Sequence, residues 1–353
     1  MIKEKRWAVL DIAKAIAVIF MILGHNLMWW YTVGGHRFVA HFEFEARLAP
    51  IIFGVAALFV MTIPIIAGMA LRFHFRRGWD EQKRKLIRGK APALLTVVQL
   101  AIYISALGFL LNYLNWDWDD AFNWNVLQFF ALSLIVITLT LKFLSLDYLL
   151  ALAAAVLLSA AWLREFFWRD GNFAYLETAL FGEPSSSNVW PFFPWFAIVV
   201  FGFLIAQLYL LPKYRKRFSK ILIVSGGILI STTLLFSGSL FYDLDFANVW
   251  GATIFQPPLT KVLGQLGFFA VLFAGLHYFF SQSKLRPYGV INVFSHGILY
   301  IYLFHFTIGY QLTNAWKLQY EFKLLGISLL LQLLVAYLIG AAVVFLKRRK
   351  GRA

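Results

Sequence analysis

Lys14 and His25 stand eleven residues apart in LDIAKAIAVIFMILGHNLMWWY (10–31), an otherwise apolar run, with Asp11 one turn before the lysine. On an α-helix, eleven residues is about three turns plus 20° and about 16 Å of rise, so the two groups share a face. Asp11 and Lys14, at i and i+3, are close enough to pair. Asp11, Lys14 and His25 therefore form one polar stripe. In a bilayer such a stripe faces the bundle interior or a wet cavity. Histidine exchanges a proton near neutral pH, which makes His25 a natural general base. The plainer alternatives are an Asp11–Lys14 ion pair near the interface, with Lys14 snorkelling, and a His25 hydrogen bond that joins two helices.

The elements that position this stripe follow from composition. The 353 residues are 61% hydrophobic and 14% charged, far from the soluble average of about 45–50% apolar. Apolar runs of spanning length recur along the chain. The expected fold is all-α: a polytopic membrane helix bundle of about ten spans, at 8–31, 51–71, 92–114, 124–143, 147–162, 190–211, 219–241, 261–281, 289–313 and 324–346. The fourth-to-fifth connection is short. Residues 1–353 are expected to form a single transmembrane domain, with the first helix retained rather than cleaved as a signal peptide. The chain has no cysteine, which excludes disulfides, thiolate zinc sites and cysteine nucleophiles.

The net charge of +15 reports topology here rather than nucleic acid. With the N-terminus inside, the inner segments and the adjoining span ends hold 24 basic and four acidic residues, and the outer side holds seven basic and twelve acidic. That asymmetry predicts both termini in the cytoplasm. Trp29, Trp30, Trp116, Trp118, Trp190 and Trp195 fall where spans meet loops and are expected in interface belts. The long outer segments 163–189 and 242–260 are expected to fold over the outer mouth. The chain shows no internal repeat of the kind that builds many transporters.

The stretch RWAVLDIAKAIAVIFMILGH resembles the first helix of the transmembrane acyltransferases. These include the bacterial acyltransferase-3 glycan O-acetylases and the heparan-α-glucosaminide N-acetyltransferase family. Their pattern is a basic residue, ten others, then histidine: here Lys14 and His25, with Arg6 and Asp11 also fitting and Ala15 where many members have glycine. FGVAALFVMTIPIIAGMALR (53–72) resembles the second helix, WNVLQFFALSLIVITL (124–139) the LQ-containing helix, and NVWPFFPWFAIVVFGFLIAQL (188–208) the proline-tryptophan-glycine helix. YIYLFHFTI (300–308) resembles the late YLxH motif and supplies Tyr302 and His305, although Ile298 stands where a serine is usual. The resemblance covers about 310 residues.

The resemblance implies ten core helices and transfer of an acyl group from acyl-CoA, commonly acetyl-CoA, to a hydroxyl or amine of an extracytoplasmic glycan or glycolipid. It implies no metal. The active histidine matches His25 in one branch and, eleven residues on, His36 in the other; this chain has both. The donor's phosphates would meet the inner segment RFHFRRGWDEQKRKLIRGK (72–90), at Arg72, Arg76 and Arg77, with Lys14 further along the path. Part of that charge is explained by topology and by attraction to anionic lipid. Tyr302 and His305 are supporting groups, with simple helix packing the alternative for His305. The expected location is the bacterial inner membrane; no nucleic-acid partner is expected, and the oligomeric state is left open. Two competing classes are a proton-coupled transporter or flippase of a small solute or lipid-linked saccharide, and an inactive acyltransferase-like accessory of polymer export.

Overall fold

Hydrophobic periodicity becomes a run of long helices. The computed structural model describes residues 7–34, 62–87, 89, 92–115, 118, 121–168, 174–182, 190–237, 257–282, 289–316 and 322–350. The helices are α1 (Ala8–Gly34), α2 (Thr62–His74), α3 (Leu94–Asn115), α4 (Val126–Phe143), α5 (Leu146–Trp168), α6 (Ala174–Phe181), α7 (Phe192–Leu210), α8 (Pro212–Arg215), α9 (Phe218–Ser237), α10 (Leu259–Gln282), α11 (Val290–Trp316) and α12 (Phe322–Lys350). Among the described residues, nine helices are long and apolar enough to cross a membrane. They match nine of the ten expected spans. The other, 51–71, is described only from Thr62, where α2 begins. The short fourth-to-fifth connection is real: only Leu144 and Ser145 separate α4 from α5.

The chain forms two compact units, Met1–Ile63 with Gly275–Ala353, and Pro64–Ala274. In the first, Ala15, Val18 and Ile22 of α1 pack with Phe294 and Ile301 of α11 and Ala336 of α12. Later residues of α1 meet earlier residues of α12, so those two helices run antiparallel. Residues 11 and 25 of α1 meet residues 295 and 305 of α11 in the same order, so α1 and α11 run parallel. First, ninth and tenth spans require these directions.

The second unit is centred on α7, whose Trp195, Phe196 and Phe203 are fully buried. A helix apolar all round belongs in an interior. Trp190 and Trp195, expected at the interface, are buried instead, with ring centroids 4.4 Å apart. Neighbouring aromatic residues supply an apolar environment for them, and the Trp190 carbonyl accepts the indole N–H of Trp124 at 3.0 Å. Trp118 is exposed as expected; the side chains of Trp29, Trp30 and Trp116 lie outside the described residues, as does segment 242–256. Within 163–189, α5 extends to Trp168 and α6 follows.

Helices that cannot use the hydrophobic effect against one another in lipid pack through small residues. Gly68 of α2 lies against the Val199 carbonyl of α7, and Gly202 of α7 lies against the Ile65 carbonyl of α2. A β-carbon on Gly226 (α9) or Gly267 (α10) would sit 2.7 Å from the other's carbonyl oxygen. In the first unit, a β-carbon on Gly297 (α11) would come 2.8 Å from Cα of Gly340 (α12).

The start of α4 is fixed by amides. Asn125 caps the helix: its side chain accepts from Leu127 N–H at 2.8 Å, and its own N–H donates to Gln128 Oε1 at 3.2 Å. Asn125 Nδ2 also donates to Gly108 O at 3.0 Å and to Asn112 Oδ1 at 2.6 Å on α3. The glutamine of the LQ stretch is thus half of a capping box.

Between α2 and α3 the basic inner segment forms a small hairpin. Strands β1 (Trp79–Asp80) and β2 (Lys85–Leu86) pair antiparallel, Trp79 opposite Leu86. Asp80 Oδ1 accepts the backbone N–H of Gln82 and Lys83 at 2.9 and 3.1 Å, which closes the turn.

Two outcomes follow for unfolding of the protein in detergent micelles. Gly202→Ala drives a methyl into the Ile65 carbonyl and lowers stability by about 2 kcal/mol or more, whereas Gly227→Ala, with nothing within 4 Å, is neutral or raises it by up to about 1 kcal/mol. Asn125→Ala removes the cap and strands the Asn112 acceptor, and costs about 2 kcal/mol. Thermal melts followed by intrinsic tryptophan fluorescence check both.

Candidate functional site

The polar stripe of α1 finds its partners within its own unit. Asp11 is buried and accepts the Ser295 hydroxyl of α11 at 2.8 Å. Lys14 is half-buried on the same helix. His25 Nδ1 lies 2.9 Å from His305 Nε2, with the two rings stacked at 5.1 Å and 20°. Phe306 presses edge-on against the His25 ring at 5.1 Å.

The hydrogen bonds determine the tautomers of this pair in its neutral form. His305 Nδ1 lies 3.0 Å from the Tyr302 carbonyl and 3.2 Å from that of Ile301. Carbonyl oxygens only accept, so Nδ1 carries the proton. The lone pair of His305 then resides on Nε2, which accepts from His25 Nδ1–H. His25 in turn carries its own lone pair on Nε2, the atom that can take a proton from a substrate. A second histidine thus orients the first, as a carboxylate or carbonyl does in other sites. Tyr302 acts through its main-chain carbonyl, with its ring 6.1 Å from that of His305.

Beside this pair is an amide cluster that the sequence reading missed. Asn26 is buried and donates to Gln332 Oε1 at 2.9 Å, while Ser328 Oγ and Gln332 Nε2 donate to Asn26 Oδ1, each at 2.9 Å. Asn26 also back-bonds to Ile22 O at 2.9 Å. The cluster ties α1 to α12 one residue after His25. Ser295 was missed as well. The available signal was a polar residue in each of three apolar helices, but a lone serine or amide in such a run carries little information until its partner is known.

In the second unit the expected phosphate cations separate. Arg76 and Arg77 are exposed on the turn after α2. Arg72 is buried: its Nε donates to Gln207 Oε1 of α7, and its guanidinium lies 4.5 Å from the Trp79 ring centroid and 5.8 Å from that of Phe203. Its Nη1 is buried and has no hydrogen-bond partner among the described residues. His36 lies outside the described residues. Among the described residues no cluster of three or more histidines and carboxylates could hold a metal ion.

No curated protein matches the chain. Residues 6–242 match the family model for the heparan-alpha-glucosaminide N-acetyltransferase catalytic domain. That stretch contains His25 and the buried Arg72; His305 and the α12 amides lie beyond it. Two-thirds of the chain is covered, and with nine apolar spanning helices the chain is an integral membrane protein that belongs to the heparan-α-glucosaminide N-acetyltransferase family of acyltransferases.

Proposed function

We propose that the protein transfers an acyl group, most simply acetyl, from cytoplasmic acyl-CoA to a hydroxyl or amine of an extracytoplasmic glycan or glycolipid, in the inner membrane of a bacterium. The observation that carries this reading is the pair of half-buried His25 and buried His305, in which backbone carbonyls set one ring and that ring sets the other.

In this reading His25 Nε2 removes the proton from the acceptor hydroxyl or amine as its oxygen or nitrogen attacks the thioester carbonyl. The new C–O or C–N bond forms, the C–S bond breaks, and the CoA thiolate takes up a proton. His305 is a positioning residue: it holds the imidazole of His25 in the tautomer that leaves Nε2 basic and disperses the positive charge that develops. Asp11 and Lys14 line the same face of α1. The donor's phosphates fall to Arg76 and Arg77, exposed cations of suitable geometry. Arg72 fits the same group, since its buried Nη1 is a donor that an anionic oxygen would satisfy. His36 is the second candidate base, and transfer through a transient acyl-histidine is the covalent alternative. The acidic outer segments and outer tryptophans are candidate contacts for a sugar acceptor.

The test uses purified protein in nanodiscs with labelled acetyl-CoA and a panel of glycan acceptors. His25→Ala lowers kcat by about 100-fold or more, the range for loss of a general base. His305→Ala lowers it by about 10–100-fold with donor KM unchanged, and alters the pH profile, because only the orientation of the base is lost. Transfer at the wild-type rate in His25→Ala moves the chemistry to His36 or ends the proposal, and His36→Ala separates those outcomes. Proton-coupled solute flux without CoA binding supports the transporter reading instead.

A further inference from the structure

The hairpin leaves a groove that the transfer reading does not use. Its tip is pinned to the α4–α5 corner: Leu146 N–H donates to Arg84 O at 2.9 Å, and the Arg84 guanidinium pairs with Asp147 at 3.2 Å. Arg84 takes a left-handed backbone, φ 50°, to do so, a conformation that costs a non-glycine residue about 1 kcal/mol. Docked in this way, the hairpin and the end of α4 enclose about 480 Å³, lined by Lys83, Lys85 and Lys142 with Asp80, Leu86 and Phe143. The one carboxylate of this lining already accepts two backbone N–H groups through Oδ1. Three lysines therefore face a space with a single opposing charge.

The surroundings separate two sources of phosphate. A soluble phosphate needs only the cations. This groove opens beside bare apolar surface at the end of a spanning helix: Phe143 is 64% exposed, and Leu144 and Tyr148 across the corner are 47% and 60% exposed. Cations beside exposed aromatic and aliphatic groups match a molecule with an anionic head and hydrocarbon tails. Basic pockets where helices leave the cytoplasmic leaflet bind such headgroups. We infer that the groove between the hairpin and the α4–α5 corner is a specific site for an anionic phospholipid, its phosphate among Lys83, Lys85 and Lys142 and its chains along Phe143 and Tyr148.

The site is independent of the transfer reading, and its test does not use activity. Protein reconstituted in phosphatidylcholine nanodiscs doped with phosphatidylglycerol or cardiolipin is moved to detergent, and bound lipid is counted by native mass spectrometry. Wild type retains an anionic phospholipid against excess phosphatidylcholine. The triple variant K83Q/K85Q/K142Q lowers its occupancy by about tenfold or more. The control K213Q/K216Q/K220Q, with the same charge change on exposed lysines, leaves it unchanged. Asp80→Asn, which keeps the turn acceptor and removes the opposing charge, raises occupancy, and it decides the matter should the triple variant fail to fold. Equal loss in the control reduces the site to diffuse attraction and overturns the proposal. So does displacement of the lipid by inorganic phosphate or CoA, which would make the groove a site for soluble phosphates.

Discussion

A polar side chain facing hydrocarbon without a partner costs several kcal/mol, and α1 carries several such groups. The arrangement of the first unit satisfies them. Asp11 takes the Ser295 hydroxyl, His25 takes His305, and Asn26 takes Ser328 and Gln332. Two partners come from the parallel helix α11 and two from the antiparallel helix α12. Rotation of α1 by a single residue, about 100°, would break all three. The same bonds that satisfy these groups therefore aim the His25 ring, and the buried cluster Ala15–Val18–Ile22 with Phe294, Ile301 and Ala336 fills the space between them.

The second unit answers a different demand. Backbone contacts at Gly68, Gly202, Gly226 and Gly267 bring its helices together. Arg72, its one buried guanidinium among the described residues, is accommodated by Gln207 and by the π-faces of Trp79 and Phe203. An arginine is suited to this because its charge is spread over a weakly hydrated plane that stacks on aromatic rings, whereas a lysine ammonium is a compact, strongly hydrated point charge.

Spanning helices are legible in a sequence because hydrocarbon imposes one length and one composition, and most described helix ends fall within about four residues of the expected positions, with α5 running six residues further to Trp168. Lys14 and His25 were legible because helical phase relates residues on one element. Contacts between elements were not. Nothing in YIYLFHFTI states that His305 stacks on a ring 280 residues earlier, and Asn26, adjacent to His25, looked unremarkable until Ser328 and Gln332 closed around it. Trp190 and Trp195 sit at a span end by count yet are buried, because aromatic neighbours in α7 and α4 form an apolar pocket there. The hairpin at 79–86 escaped because a run of basic residues with no apolar alternation has no strand signature, and Asp80 and the α4–α5 corner supply the constraint instead.

The distance along the chain between these partners sets an order of assembly. Separations of 280 to 306 residues mean that α1 enters the bilayer long before α11 and α12 exist. At about 5–20 residues per second of synthesis, its carboxylate, imidazole and amide wait roughly a quarter of a minute to a minute for the groups that will satisfy them. The His25–His305 pair therefore comes into being late, and the Asn26 cluster later still: a chain that stalls before the ninth span has most of its helices and neither of these arrangements.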